Sequence, residues 1–261
     1  MSLSLNDCIA PLWPAPANVR SLITTRNGGV SLGPLSSLNL GRSVGDEPSA
    51  VAENRRRVEA LIGAAPRWMS QVHGIDVAPL DKLDANTPIT ADAAFSRSRQ
   101  NVCTVMMADC LTVLFCDRQG SVVAAAHAGW RGLAQGVLEA AIAAMKTPAQ
   151  DILAYMGPAI GSRMFEVGHE VRALFLSAAL PVEHSAVGDA FVASVAPESG
   201  KWLADIYALA RTRMVRSGLR AENIYGGGHC TYVESSRFFS YRRSTHRGEK
   251  SGRMAAMIWL D

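Results

Sequence analysis

Apolar positions along the chain change period several times, and each change marks out an element. SLITT is a short apolar run that leads into TTRNGGVSLGPLSSLNLG, Thr24 to Gly41. That stretch is so dense in Gly, Ser and Asn that it reads as an ordered loop, and loops of this length often carry function. After Pro48 and Ser49, residues Val51, Val58, Leu61 and Ile62 keep helical spacing while Glu53 and Arg57 stand four apart. This predicts a helix with one exposed face, on which the arginines of NRRR are solvated. The centre of the chain is strand-rich. NVCTVMMA, LTVLFCD and SVVAAAH are short apolar runs high in Val, Thr and Cys, and the last two are joined by the hairpin-like DRQG. Apolarity this continuous predicts burial on both faces of a sheet. From Leu133 the period lengthens, with Leu133, Val137, Ala141 and Met145 recurring and Leu138 and Ile142 beside them. That pattern predicts one helix packed back on the sheet.

Later segments repeat the theme. DILAYMG reads as a strand and VGHEVRALFLSAAL as a helix. KWLADIYALARTRMVRSG reads as a helix with a stripe of Leu203, Ile206, Tyr207, Ala210 and Met214, closed by Gly218. RFFSYRR and MAAMIWL read as two more strands. Alternation of helices and strands predicts an α/β (α+β) fold of mixed sheets stacked under helical layers. No repeat, low-complexity tract or linker divides the chain, so residues 1–261 are expected to form a single domain.

Composition narrows the class. With 261 residues and 48% apolar content the chain can bury a large core. A formal charge of +3 is too slight for a dedicated nucleic-acid binder, although a small anionic substrate suits it. The cysteines Cys8, Cys103, Cys110, Cys116 and Cys230 are odd in number and sit mostly inside apolar runs, which fits the cytoplasm better than a disulfide framework. The start, MSLSLNDCIAPLWPAP, lacks a basic segment before an apolar core, and no run reaches the roughly 18 apolar residues of a membrane span.

Three segments share one oddity. SQVHGIDV, MMADCLTVLF and AAAHAGWRG each interrupt or end an apolar run with His73, Cys110 or His127. Imidazole and thiolate are ligands that zinc prefers, and three of them leave a fourth tetrahedral position open, as catalytic sites do. The separations, 37 and 17 residues, match no compact finger motif. Taken singly, a cysteine in a strand is usually a small hydrophobe, the reading given to Cys103, Cys116 and Cys8. Taken together, and with the glycines after His73 and around Trp130 and Arg131, the three gain weight.

In order, TTRNGGVSLGPLSSLNLG, SQVHGIDV, MMADCLTVLFC, AAAHAGWRGLAQGVLE, MGPAIGSRMFEVGHEV, CTYVESSRFFSYRR and SGRMAAMIWL resemble the YfiH family, also called the laccase-domain or polyphenol-oxidase family. The resemblance covers nearly the whole chain. It implies one α/β domain with a metal site on His73, Cys110 and His127, and purine nucleoside phosphorylase activity towards adenosine, inosine, guanosine and methylthioadenosine. Adenosine deamination is implied as well, bacterial members are linked to peptidoglycan-precursor editing, and older descriptions make the family multicopper oxidases. The sequence departs at Thr112, where many relatives have proline, at Met164, where some have cysteine, and in the longer STHRGEK. None of these is expected to touch the three ligands.

Phosphorolysis needs a phosphate site, for which arginine's planar fork is suited. Arg26, Arg131, Arg242 and Arg243 are the candidates, with Arg242 and Arg243 also readable as a solvated basic strand edge. Asp109 is the nearest proton carrier to Cys110. A structural carboxylate is the competing reading for it, since neighbours on a strand face opposite ways. Glu166 and His169 compete for the same part, His169 reading better as a surface or cap residue. The H-x-E and P-C-x-x-C signature of cytidine-type deaminases is absent. Two other chemistries stay open: copper redox chemistry, with Met107 as axial ligand, and a metal-free thiol hydrolase or amidase with Cys110 as nucleophile and His127 as base. The expected partners are a nucleoside and phosphate, with no nucleic acid and no membrane.

Overall fold

In the computed structural model residues 3–99, 101–194 and 200–261 are described. Among them, two large sheets stack on one another. One has five strands in the order β1 (Cys8–Ile9), β2 (Val19–Thr24), β14 (Met254–Leu260), β6 (Val102–Met107) and β3 (Pro66–Arg67). The other has six, ordered β13 (Ile224–Gly226), β9 (Ile152–Met156), β7 (Leu111–Asp117), β8 (Val123–Ala128), β5 (Ala93–Ser96) and β4 (Val77–Pro79). A small sheet contains β10 (Glu166–Val167), β12 (Trp202–Ala204) and β11 (Phe191–Ala193). The pairs β3/β6, β4/β5 and β13/β9 are parallel and the other ladders antiparallel, so the fold is the expected α/β stack of mixed sheets.

The two-residue period of a strand decides which layer each side chain joins. In β14, Met254, Ala256, Ile258 and Leu260 fill the space between the sheets with Val105 of β6 and Leu114 and Cys116 of β7. The intervening Ala255 and Met257 pack outward, with Val58 of α1 (Pro48–Ile62). In β7, Leu111, Val113 and Phe115 face the opposite way, towards Leu133 and Leu138. Every residue of β7 and β8 is buried, which is why those strands read as continuous apolar runs.

Three expectations need correction. The helix expected to run on from Leu133 is two, α2 (Trp130–Gln135) and α3 (Val137–Ala144), because Gly136 at φ 107 terminates one and opens the next. KWLAD is not helical: Trp202–Ala204 is β12, and the Asp205 side chain accepts the N–H groups of Tyr207 and Ala208 to cap α6 (Ile206–Arg216). RFFSYRR is not a strand: Phe238 and Phe239 are buried between the sheets, and Ser240 caps α7 (Tyr241–Arg247) by accepting from Arg243 N–H. The alternation that suggested a strand there comes from two core aromatics followed by a capped turn. The helices α4 (His169–Ser177) and α5 (His184–Asp189) complete the set, and among the described residues no helix is long and apolar enough to cross a membrane.

The loop from Thr24 to Gly41 is ordered by α1. Asn54, fully buried, accepts from Val30 N–H and donates to Ser31 Oγ, Ser37 O and Asn39 O.

Candidate metal centre and its cleft

Cys110 occupies the turn in which the chain leaves one large sheet for the other, between β6 and β7. His127 lies near the end of β8, directly opposite Thr112 of β7, so Cys110 stands opposite Gly129, the residue before α2. His73 comes from the loop ahead of β4. These three elements, far apart in sequence, bring His73, Cys110 and His127 together with one ligand atom from each, all within 4.8 Å of one another. His73 Nε2 is 3.8 Å from Cys110 Sγ, and the two imidazoles meet edge to face at 4.9 Å between centroids. On a single tetrahedral zinc ion a nitrogen and a sulfur ligand would stand about 3.6 Å apart. Space is also reserved: a Cβ on Gly129 would fall 2.8 Å from His73 Cδ2 and 3.1 Å from Cys110 Sγ. The donor set and the gap left for it fit a thiophilic metal ion.

Sequence reasoning missed the residue that builds this arrangement, Asp92, which is completely buried at the start of β5. Its Oδ1 accepts from His127 Nδ1 at 2.8 Å and from His73 N–H at 2.9 Å, and its Oδ2 accepts from Val72 and Gly74 N–H. The bond to Nδ1 fixes that nitrogen as the donor, leaving Nε2 of His127 as the atom that could ligate a metal. Three successive N–H groups drawn to one carboxylate also hold His73 in left-handed backbone, at φ 61. A non-glycine residue pays roughly 1–3 kcal/mol for such a conformation. Burial alone would raise Asp92, but the His127 ring and the N–H groups of Gly74 and Val72 hold it below the usual carboxylate range. An Asp opening the apolar run DAAF was the available signal.

Electrostatics bind the centre further. Burial would raise the Cys110 thiol, yet the imidazoles of His127 and His73 outweigh it and lower it. Burial would likewise lower His127, but Cys110 and Asp92 raise it. Each group thus favours the charged form of the other. Cys116 shows the contrast: buried with no imidazole, it is pushed up to about 12.

The centre opens into a cleft of about 1130 Å³ whose wall includes Cys110, His127, Trp130, Arg131, Phe165 and Arg242. Arg131 stacks on Trp130, with its guanidinium carbon 4.3 Å from the ring centre. Arg242 donates from Nη2 to Glu166 O. Arg26 and Arg243 do not line this cleft. Arg26 donates to Ser36 O, Ser235 O and Pro34 O, and Arg243 to Thr231 O, Tyr232 O and Phe238 O. Both therefore tie loops together, and the picture of Arg242 and Arg243 as a solvated strand edge is replaced by a helix with Arg243 buried.

Asp109, at φ 86 and in the cleft wall beside Cys110, accepts from Thr231 Oγ1 on one oxygen and from Arg242 N–H on the other, at 2.6 Å each, which ties the start of α7 to the Cys110 turn. Glu166 is engaged by Lys201 and Ser194, and His169 is exposed at the start of α4. Met107 is buried in the core between the sheets and also borders the cleft that Cys110 and His127 line. Thr112, expected to leave the ligands alone, is the cross-strand partner of His127, and its Oγ1 is buried without a hydrogen-bond partner.

With this geometry in view, the sequence profile of the family described as multi-copper polyphenol oxidoreductase laccase matches residues 20–261. A purine nucleoside phosphorylase of Pseudomonas aeruginosa is 49% identical over 256 residues, covering 98% of this chain and 99% of the relative. The purine nucleoside phosphorylase YfiH of Escherichia coli is 48% identical over 258 residues, covering 98% and 100%. Among solved structures, a Neisseria meningitidis protein superposes with a TM-score of 0.88 at 48% identity, covering 98% of this chain and 99% of that one. YlmD from Geobacillus stearothermophilus superposes with a TM-score of 0.84 at 30% identity, covering 97% and 96%.

Proposed function

This chain belongs to the multi-copper polyphenol oxidoreductase laccase family, and from that premise we propose that it is a zinc-dependent purine nucleoside phosphorylase that also deaminates adenosine. The observation that carries the metal part is the convergence of His73, Cys110 and His127 on one point, with Asp92 fixing the ring of His127. The full-length relatives named as phosphorylases support the reaction.

In phosphorolysis an oxygen of dihydrogen phosphate bonds C1′ of the ribose while the C1′–N9 bond breaks. The electron pair leaves with the purine, which takes the proton from phosphate, giving ribose 1-phosphate and free base. A zinc ion held by the three ligands would supply Lewis acidity towards a substrate oxygen. The chain's own residues bind and orient. Arg131 and Arg242 offer cationic donors to phosphate on the cleft wall, and Trp130 and Phe165 offer apolar surface to the base. Asp109 holds the start of α7, and with it Arg242, against the Cys110 turn. Adenosine deamination exchanges the C6 amino group for a water oxygen and releases ammonia in the same cleft. A cytoplasmic setting suits the five free cysteines.

One observation favours a second reading. Cys110, His127 and Asp92 follow the order of a thiol hydrolase's nucleophile, base and orienting carboxylate. That chemistry leaves His73 without a part. Elemental analysis of protein purified without added metal, together with phosphate-dependent inosine cleavage, separates the two. Zinc near one equivalent, and loss of both zinc and phosphorolysis in Cys110→Ala, supports the phosphorylase. Full activity after thorough chelation supports the hydrolase, and visible-light absorption by the purified protein supports copper.

A further inference from the structure

The cleft wall is electrically one-sided. Among the described residues it includes six arginines and one carboxylate, Asp109, whose oxygens accept from Thr231 Oγ1 and Arg242 N–H. Most of these guanidinium groups are already occupied or sit at the rim. Arg55 spends Nε and Nη2 on Leu40 O and stacks on Trp68, and Arg67 donates to Asn101 and to Asp84 O. Arg42 and Arg131 are exposed.

Arg242 commits only Nη2, to Glu166 O, and Arg253 is held at more points. Arg253 directly precedes β14 and is only partly exposed. Its backbone is fixed at both ends of the peptide unit, N–H donating to Asn39 Oδ1 and the carbonyl accepting from Leu40 N–H. Its stem is packed so closely against Gly41 that a Cβ there would lie 2.8 Å from Arg253 Cγ. Nη1 donates to Ser251 O and Gly252 O, which orients the guanidinium plane. Among the described residues Nε and Nη2 have no acceptor, and no carboxylate pairs with the charge. Arg253 lines the same cleft as Cys110 and Asp109, and burial lowers it while those two groups act to raise it.

We infer that Arg253 grips the phosphate together with Arg131 and Arg242, presenting the free Nε/Nη2 edge of a pre-oriented fork to two oxygens of the anion in the cleft that the His73, Cys110 and His127 centre shares. A partly desolvated guanidinium with no carboxylate partner gains from an anion that completes it, and a fork held by its other donors loses little entropy when one arrives. Neither spacing nor charge along the chain points to Arg253.

The assignment rests on the phosphorylase reading, and the test keeps the two separable. Orthophosphate is titrated calorimetrically into purified wild type, Arg253→Gln and Arg253→Lys without nucleoside, with metal content and melting temperature recorded. Inosine cleavage is then measured against phosphate concentration. Arg253→Gln is expected to weaken orthophosphate binding and raise the phosphate KM about tenfold to a hundredfold, the effect of losing charge-assisted hydrogen bonds. The inosine KM and metal content should hold. Arg253→Lys, which keeps stem and charge but not the fork, should fall between. Unchanged orthophosphate affinity in Arg253→Gln overturns the inference, as does failure of wild type to bind orthophosphate. Should Arg253→Gln fail to fold, wild-type affinity in Arg253→Lys overturns it instead. If wild type binds orthophosphate and loses it in Arg253→Gln, yet does not cleave inosine, the anion site stands and the phosphorylase reading falls.

Discussion

Two clusters in this molecule use nearly the same residue types and do different things with them. At the cleft, Cys110, His73 and His127 face one point, and the carboxylate of Asp92 stands behind the imidazole, satisfied by ring and backbone N–H groups. In the segment GGGHCTYVESSR, His229, Cys230 and Glu234 lie within a few residues of each other. There Glu234 sits between cations and donors, accepting from Arg237 Nη1 and Cys230 N–H and 3.2 Å from His229 Nδ1. The Cys230 sulfur accepts from Gly161 N–H. Local proximity thus closes a turn and leaves no convergent ligand set, whereas distant residues brought to one sheet end leave one. A metal site needs its donors to converge on one point, and in the local cluster the carboxylate turns to Arg237 and Cys230 N–H instead.

The sharpest way to break this contrast is to remove each sulfur in turn. Cys110→Ala should lower bound metal to background and activity by more than about a hundredfold, beyond what an outer partner alone gives. Cys230→Ala should keep the metal content measured by elemental analysis. Equal metal content in both variants would end the distinction.

Next in size is Asp92→Asn, expected to weaken metal affinity by roughly tenfold to a hundredfold in a chelator competition, because the second oxygen no longer accepts while Nδ1 of His127 loses its charged partner. Gly129→Ala should follow, at about tenfold weaker metal binding, since the added methyl falls between His73 and Cys110 while the surrounding sheet is untouched. The smallest effect belongs to the other cluster. Glu234→Gln should cost about 1 kcal/mol in chemical denaturation, the worth of a partly exposed hydrogen-bonded pair, with metal content unchanged. A larger metal loss in Glu234→Gln than in Asp92→Asn would invert the comparison.

Much of the architecture was legible in the pattern of apolar residues. Runs buried on both faces, such as LTVLFCD and SVVAAAH, admit few readings, and the hairpin between them follows from DRQG. Legibility failed where a single residue overrode the pattern. Gly136 divides a continuous helical stripe, Asp205 delays a helix by capping it, and Ser240 turns RFFSYRR from a strand into the start of a helix. In each case a local cap or a left-handed glycine outranks hydrophobic spacing, because an unsatisfied helix end costs more than a shifted stripe.

By itself the sequence determined the layered α/β class and offered the three donors, since apolar period and ligand chemistry are written residue by residue. Only tertiary structure decided which polar groups serve them. It recruited Asp92 from the position just before β5, tied Asp109 to Thr231 Oγ1 and Arg242 N–H, committed Arg26 and Arg243 to backbone carbonyls, and left Arg253 with a free edge. A side chain's period is fixed by its own neighbours in the chain. Its hydrogen-bond partner is chosen by whatever the folded layers bring within about 3 Å, a distance that no spacing along the chain encodes.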